Sequence, residues 1–289
     1  MEIKTVIEVP KLTLGEGLFW DNEYQKLWFV DIKDFKLYSF DIYTKKLKFW
    51  KFQEEVCWVV PTYDEYEVML GLKKGIAKFN IQQNKLDWII NDFLKDDKIR
   101  LNDVGVDNEN RLWFGSMHNE NESLSVGELF SFSNKESLKR HDKNYKVTNG
   151  PVISQNYLYH NDSIEGIIYR YEIDKGILKN KSVFKKFAFN EGKPDGMCFD
   201  EEGNILVAMW GSGKINRINQ KGDIIQSFKL PVPFVTNVCF GGKNFEKLFV
   251  TSANIGMSEK ELKKYPKSGS LFEIEIPNLK GKELKKVEI

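Results

Sequence analysis

Short apolar runs recur along the chain at a nearly fixed interval. Six of them begin at Leu27, Val68, Leu112, Leu158, Ile205 and Leu248, and their starts lie 41, 44, 46, 47 and 43 residues apart. Each is followed by a segment in which apolar and polar residues alternate, as in Leu37-Tyr38-Ser39-Phe40 and Ile215-Asn216-Arg217-Ile218. That alternation is the period of a strand with one buried face. Clusters such as Asp107-Asn108-Glu109-Asn110 and Asp200-Glu201-Glu202-Gly203 precede several runs and supply residues that tolerate the positive φ of tight turns. No long segment carries an apolar period of 3.6, so few helices are expected; Ser258–Tyr265 is the one helical turn predicted.

A repeat of about 44 residues with up to four strands per unit is the pattern of propeller blades. Six units predict an all-β, six-bladed β-propeller, read as a single domain over residues 1–289. Each blade alone leaves a face unburied, and the ring covers it with the neighbouring blades. The strand Ile3–Val9 precedes the first unit. It is expected to pair into the last blade and close the ring, which removes an exposed edge.

Composition narrows the function classes. Lys and Arg total 43 against 42 Asp and Glu, a net charge of +1, so there is no global field to draw in nucleic acid. No apolar stretch approaches a membrane span, and Met1–Pro10 lacks the apolar core of a signal peptide. The lysines at 263–264 and 280–286 read as a solvated surface. Cys57, Cys198 and Cys239 are odd in number and widely spaced, with no zinc pattern; they read as reduced core residues of a cytoplasmic protein. Asn-x-Ser triplets at Asn121, Asn161 and Asn180 are taken as chance.

Four segments place polar residues beside glycine or inside apolar strands: Gly15-Glu16-Gly17, Arg100-Leu101-Asn102-Asp103, Thr148-Asn149-Gly150-Pro151 and Lys193-Pro194-Asp195-Gly196. Glu16, Asn102, Asn149 and Asp195 fall 11, 10, 9 and 10 residues before the apolar run of their unit. Asn-Gly or Asp-Gly alone is a hairpin signal. Four such segments at one register of a repeat instead predict convergence on one axis. Arg100 and Asn102 flank Leu101 and would face the same side of a strand. Two carboxylates and an amide form an all-oxygen set suited to one divalent metal ion such as Ca²⁺, Mg²⁺ or Mn²⁺, and Zn²⁺ also accepts such ligands. His118 and His160 read as surface or rim residues that could line the mouth. With only three histidines, no nucleophilic triad is assembled. Trp210 and Phe234 are candidates to cover the apolar side of the pocket.

These motifs, with Pro194-Asp195-Gly196-Met197-Cys198 and Cys239-Phe240-Gly241-Gly242-Lys243-Asn244, give the chain a resemblance to the SMP-30/gluconolactonase/luciferin-regenerating enzyme family. The resemblance implies a six-bladed propeller. It also implies a metal held by Glu16, Asn149 and Asp195, and sugar contacts from Arg100, Asn102 and Glu120. Glu120 follows Gly115-Ser116-Met117 at the family's spacing. Two features depart from the pattern: Val104 replaces a glycine after Asn102-Asp103, and the Pro151–Asn156 stretch is short. The implied activity is metal-assisted opening of a sugar lactone with Asp195 as general base. The alternatives are a non-catalytic calcium- or partner-binding propeller, and a related esterase-like hydrolase on the same metal site.

Overall fold

A computed structural model describes residues 1–154 and 156–288. It contains six antiparallel sheets of four strands each, arranged as a six-bladed β-propeller. In chain order the innermost strands are Gly15–Asp21, Val56–Pro61, Ile99–Val106, Thr148–Ile153, Lys193–Phe199 and Val235–Gly241. The six apolar runs of the sequence are the second strands, from Lys26–Asp31 in blade 1 to Lys247–Ser252 in blade 6. The alternating segments are the third strands. Outermost strands such as Ile177–Lys186 alternate between exposed and half-buried positions and leave little trace in the pattern.

The ring closes as the sequence predicts. Glu2–Thr5 pairs with Phe272–Glu275 and completes blade 6, whose strand order is otherwise consecutive. The strand is shorter than the Ile3–Val9 expected, although the Val6 amide still donates to the Leu271 carbonyl. The turns before the second strands use positive φ at Asn110 and Gly203. The helical segment is Glu259–Lys264, started by a reciprocal capping box between Ser258 and Glu261.

Apolar side chains from adjacent blades pack into shared clusters, with Trp20, Trp28, Trp58 and Trp113 almost fully buried. Cys57, Cys198 and Cys239 are buried and unpaired, in accord with the core reading. The lysine-rich segment near residue 286 departs in part from the solvated-surface expectation. Lys286 is buried; its Nζ lies 2.8 Å from Asp21 Oδ1 and 3.0 Å from Glu23 Oε2. Val287 is fully buried and bridges to Thr62 of blade 2. This segment therefore crosses the end of the channel and ties blades together. Among the described residues no helix is long and apolar enough to cross a membrane.

Candidate functional site

The innermost strands share one irregularity. In five of the six, pairing with the second strand skips at the same place: between Glu16 and Phe19, Leu101 and Val104, Asn149 and Val152, Pro194 and Met197, and Val235 and Val238. Two residues oppose one at each skip, so each is a β-bulge, a device that bends a strand and re-aims its side chains. Glu16 and Asn149 occupy the position before the bulge, while Asn102 and Asp195 are one residue later. A one-residue offset would flip a side chain to the other face of a regular strand. The later position of Asn102 and Asp195 accounts for their offsets of 10, and the smaller offset of Asn149 comes from a shorter turn between Ile153 and Leu158 than between Trp20 and Leu27.

The glycines have separate reasons. Gly17 and Gly150 adopt φ of +59° and +54°, a left-handed conformation that suits glycine. Gly196 has an ordinary φ, but a Cβ there would lie 2.5 Å from Cγ of Asn237. Neither Asn149-Gly150 nor Asp195-Gly196 is a hairpin turn; both lie inside innermost strands.

Hydrogen bonds link these residues around the axis. Arg100 Nη1 donates to Asn102 Oδ1 at 2.5 Å, so the two share a side as expected. Asn102 Nδ2 donates to Asn149 Oδ1 at 2.6 Å and to the Thr148 carbonyl at 2.6 Å. The Gly150 amide donates to Asp103 Oδ2 at 2.8 Å. Asn161 Nδ2 donates to the Asp195 carbonyl at 2.6 Å. Asn237 Nδ2 donates to Glu16 Oε2 at 3.1 Å and joins blade 6 to blade 1. Blades 1, 3, 4, 5 and 6 thus meet through the residues singled out and their immediate neighbours.

Electrostatically the centre is crowded with acid. Glu16, Asp103 and Asp195 are buried, with 8%, 7% and 5% of their surface exposed. Burial, then repulsion from Asp103, pushes the Glu16 carboxyl up to about 8. Burial pushes Asp103 up to about 6. Asp195 is driven well above the usual carboxylate range by burial, then by Glu16 and Asp103. Arg100 offsets part of this at Glu16. Asp195 Oδ1 is buried and has no hydrogen-bond partner among the described residues. Among the described residues no three His, Cys, Asp or Glu side chains lie close enough to hold a metal ion by themselves, so a hard cation here would need an amide oxygen beside the carboxylates.

Other expectations resolve variously. Glu120 is exposed, in a bend just beyond the second strand of blade 3. Trp210 and Phe234 stack with ring centroids 4.3 Å apart and planes at 12°, and Trp210 pairs across the strand with Lys193, two residues before Asp195. The two histidines do not behave as surface residues. His118 is buried, and its Nδ1 accepts from the amides of Glu120 and Asn121 at 3.2 and 2.9 Å. His160 is fully buried, edge-on to Tyr145, with neither ring nitrogen hydrogen-bonded among the described residues. Burial pushes it down to about 3, so it is a neutral core residue rather than a rim residue. Beyond the acids, toward the Lys282–Lys285 segment, the channel widens into a cavity of about 660 Å³. Asp103 and Asn237 face its deep end, and Val104, Val152 and Leu284 its walls.

Sequence reasoning missed Asn237 and Asn161. Asn237 carries no glycine beside it, and Asn161 lies inside a triplet that reads as chance. Asp103 belongs to one of the four polar segments, but its neighbours in sequence assign it no role.

The sequence profile of the SMP-30/Gluconolactonase/LRE-like region matches residues 14–254. The chain belongs to this family. Regucalcin from Danio rerio is 30% identical over 294 residues, which cover 97% of this chain and 96% of that protein. The Bacillus subtilis (strain 168) protein named "Putative sugar lactone lactonase YvrE" is 29% identical over 272 residues, 92% of each chain. A solved structure of luciferin-regenerating enzyme superposes with a TM-score of 0.94 at 27% identity, covering 100% of this chain and 99% of that one. The matched span of the SMP-30/gluconolactonase profile runs from Leu14, two residues before Glu16, to Asn254 in blade 6, so it contains every residue of the hydrogen-bonded network described above, though not the Lys282–Lys285 segment at the cavity.

Proposed function

We propose that the chain opens sugar lactones with the help of one divalent metal ion held by Glu16, Asn149 and Asp195. The observation that carries this reading is the set of buried acids near the channel axis, with Asp195 Oδ1 left without a partner among the described residues. The donor set fits a hard cation: two carboxylates and the amide oxygen Asn149 Oδ1, which has one lone pair beyond that engaged by Asn102. Membership of a family named for gluconolactonase, and likeness to a protein named as a sugar lactone lactonase, support the substrate class. Three unpaired buried cysteines support a reducing, cytoplasmic setting.

The chain's own residues divide the work. Asp195 takes a proton from the water as it attacks the lactone carbonyl carbon, and returns it to the ring oxygen as the acyl C–O bond of the lactone breaks, so that a hydroxy acid leaves. Arg100 and Asn102, already hydrogen-bonded to each other, are pre-set to meet sugar hydroxyls, so little ordering remains when substrate arrives. Glu120 contacts the sugar from the mouth. A divalent cation, when bound, supplies Lewis acidity toward the ester carbonyl and keeps the surrounding carboxyls ionised at neutral pH.

The test is turnover of a panel of aldonolactones by the purified chain, after chelation and after adding Ca²⁺, Mn²⁺, Mg²⁺ or Zn²⁺ singly. Metal-dependent ring opening of at least one member is expected. Tight metal binding with no turnover of any lactone would leave a non-catalytic binding propeller as the better reading.

A further inference from the structure

Three side chains from three blades form a closed hydrogen-bonded ring at the end of the channel where Glu16 lies. Lys33 sits in the turn after the second strand of blade 1, Glu55 just before the innermost strand of blade 2, and Asn119 just after the second strand of blade 3. Lys33 Nζ donates to Asn119 Oδ1 at 2.7 Å and lies 3.5 Å from Glu55 Oε1. Asn119 Nδ2 donates to the same Glu55 oxygen at 2.9 Å. The side chains of Lys33 and Glu55 are only 24% and 10% exposed. Their attraction is therefore screened less than that of a surface pair.

The ring matters because of its neighbour in the chain. The residue after Asn119 is Glu120, which is exposed. Its backbone is nevertheless held on both sides. The Asn119 amide donates to the Lys98 carbonyl at 2.7 Å, and the His118 ring accepts the amides of Glu120 and Asn121. An exposed carboxylate on a loose loop must be ordered whenever a ligand binds, and that ordering weakens binding. A carboxylate on a pinned backbone avoids most of that loss.

We propose that Lys33, acting through Asn119 and braced by Glu55, is a positioning residue that holds the Glu120 turn over the channel mouth. The inference rests on the reading of Glu120 as a substrate contact. The six blades are already joined through their strands and cores, so the ring is not needed to close the propeller. Its local effect is to brace, from the side-chain side, the turn whose backbone His118 and the Lys98 carbonyl already hold.

Lys33→Met retains the aliphatic stem and removes the ammonium. With a lactone that the wild-type chain opens, KM should rise about tenfold, the order of one charged hydrogen bond, while kcat changes by less than about threefold. Lys33→Arg should recover most of the loss, and Asn119→Ala should reproduce it. Combining Lys33→Met with Glu120→Gln should add little to either single change, because both act through one contact. Amide exchange at residues 119–123 should quicken in Lys33→Met while exchange in the innermost strands stays unchanged. Additive effects of Lys33→Met and Glu120→Gln, or an unchanged KM, would overturn the proposal. If the wild-type chain opens no lactone, the activity reading fails by itself. The exchange measurement then decides on the clasp, with unaltered protection at residues 119–123 counting against it.

Discussion

Asn237 and Glu16 are 221 residues apart in sequence, yet Asn237 Nδ2 donates to Glu16 Oε2 at 3.1 Å. The bond crosses the seam where the last blade meets the first. It fixes one oxygen of the Glu16 carboxylate; if Glu16 holds a cation as proposed, Asn237 acts as the outer partner that orients a metal ligand. Asn237→Ala should weaken binding of the cation by roughly 10- to 100-fold without unfolding the chain. Calorimetric titration of the variant with Mn²⁺ or Ca²⁺ measures this, and wild-type affinity would show the bond to be incidental.

The metal-free protein should lose stability as pH rises. Glu16 and Asp103 are pushed up to about 8 and about 6, chiefly by burial, and Asp195 moves in the same direction. In the unfolded chain such groups ionise near 4. Between about pH 4 and 8 the folded state therefore binds more protons than the unfolded state, and stability falls with increasing pH. In chelator, Tm should decline over that window. Added cation should raise Tm, and by more at the alkaline end. A Tm rising with pH in chelator would contradict the crowding of the three acids.

Asp195→Asn separates base from ligand. The amide keeps the shape and one oxygen donor but loses the charge. Metal binding should weaken, and kcat should fall by at least about 10²-fold, the lower end of what a positioned base contributes. Saturating cation should leave the rate low. Recovery of near wild-type turnover in excess metal would make Asp195 a ligand alone and move the base elsewhere.

His160 tests a buried cost. It is fully buried against Tyr145, and burial pushes it down to about 3, whereas in the unfolded chain it titrates near 6.5. The unfolded state therefore takes up more protons as pH falls through that interval, and stability is lost on acidification. His160→Phe keeps an aromatic ring against Tyr145 and removes the proton site. Its unfolding free energy should depend less on pH between about 6.5 and 4 than that of wild type. Denaturant melts across that range decide the point, and an unchanged slope would place the acid sensitivity in other groups.

The sequence by itself determined the propeller, its blade number and the closing strand. All three come from periodic burial: second strands such as Leu112–His118 are buried on both faces and so read as unbroken apolar runs. It also marked Glu16, Asn149 and Asp195, because a bulge that turns a polar side chain toward the axis leaves a glycine beside it, as at Gly17, Gly150 and Gly196. The outer strands were hard to see because half of each faces solvent and tolerates almost any polar residue. The tertiary structure alone decided the partners. Asn237 meets Glu16, Asn161 holds the Asp195 carbonyl, and Lys33 reaches Asn119 only because ring closure brings distant blades together. No local pattern records such contacts, since each residue is an ordinary polar side chain until the opposite blade supplies its partner. His160 lies in one of those apolar runs, yet only the packing against Tyr145 and the burial of the whole strand decided that it is a core residue and not a rim residue.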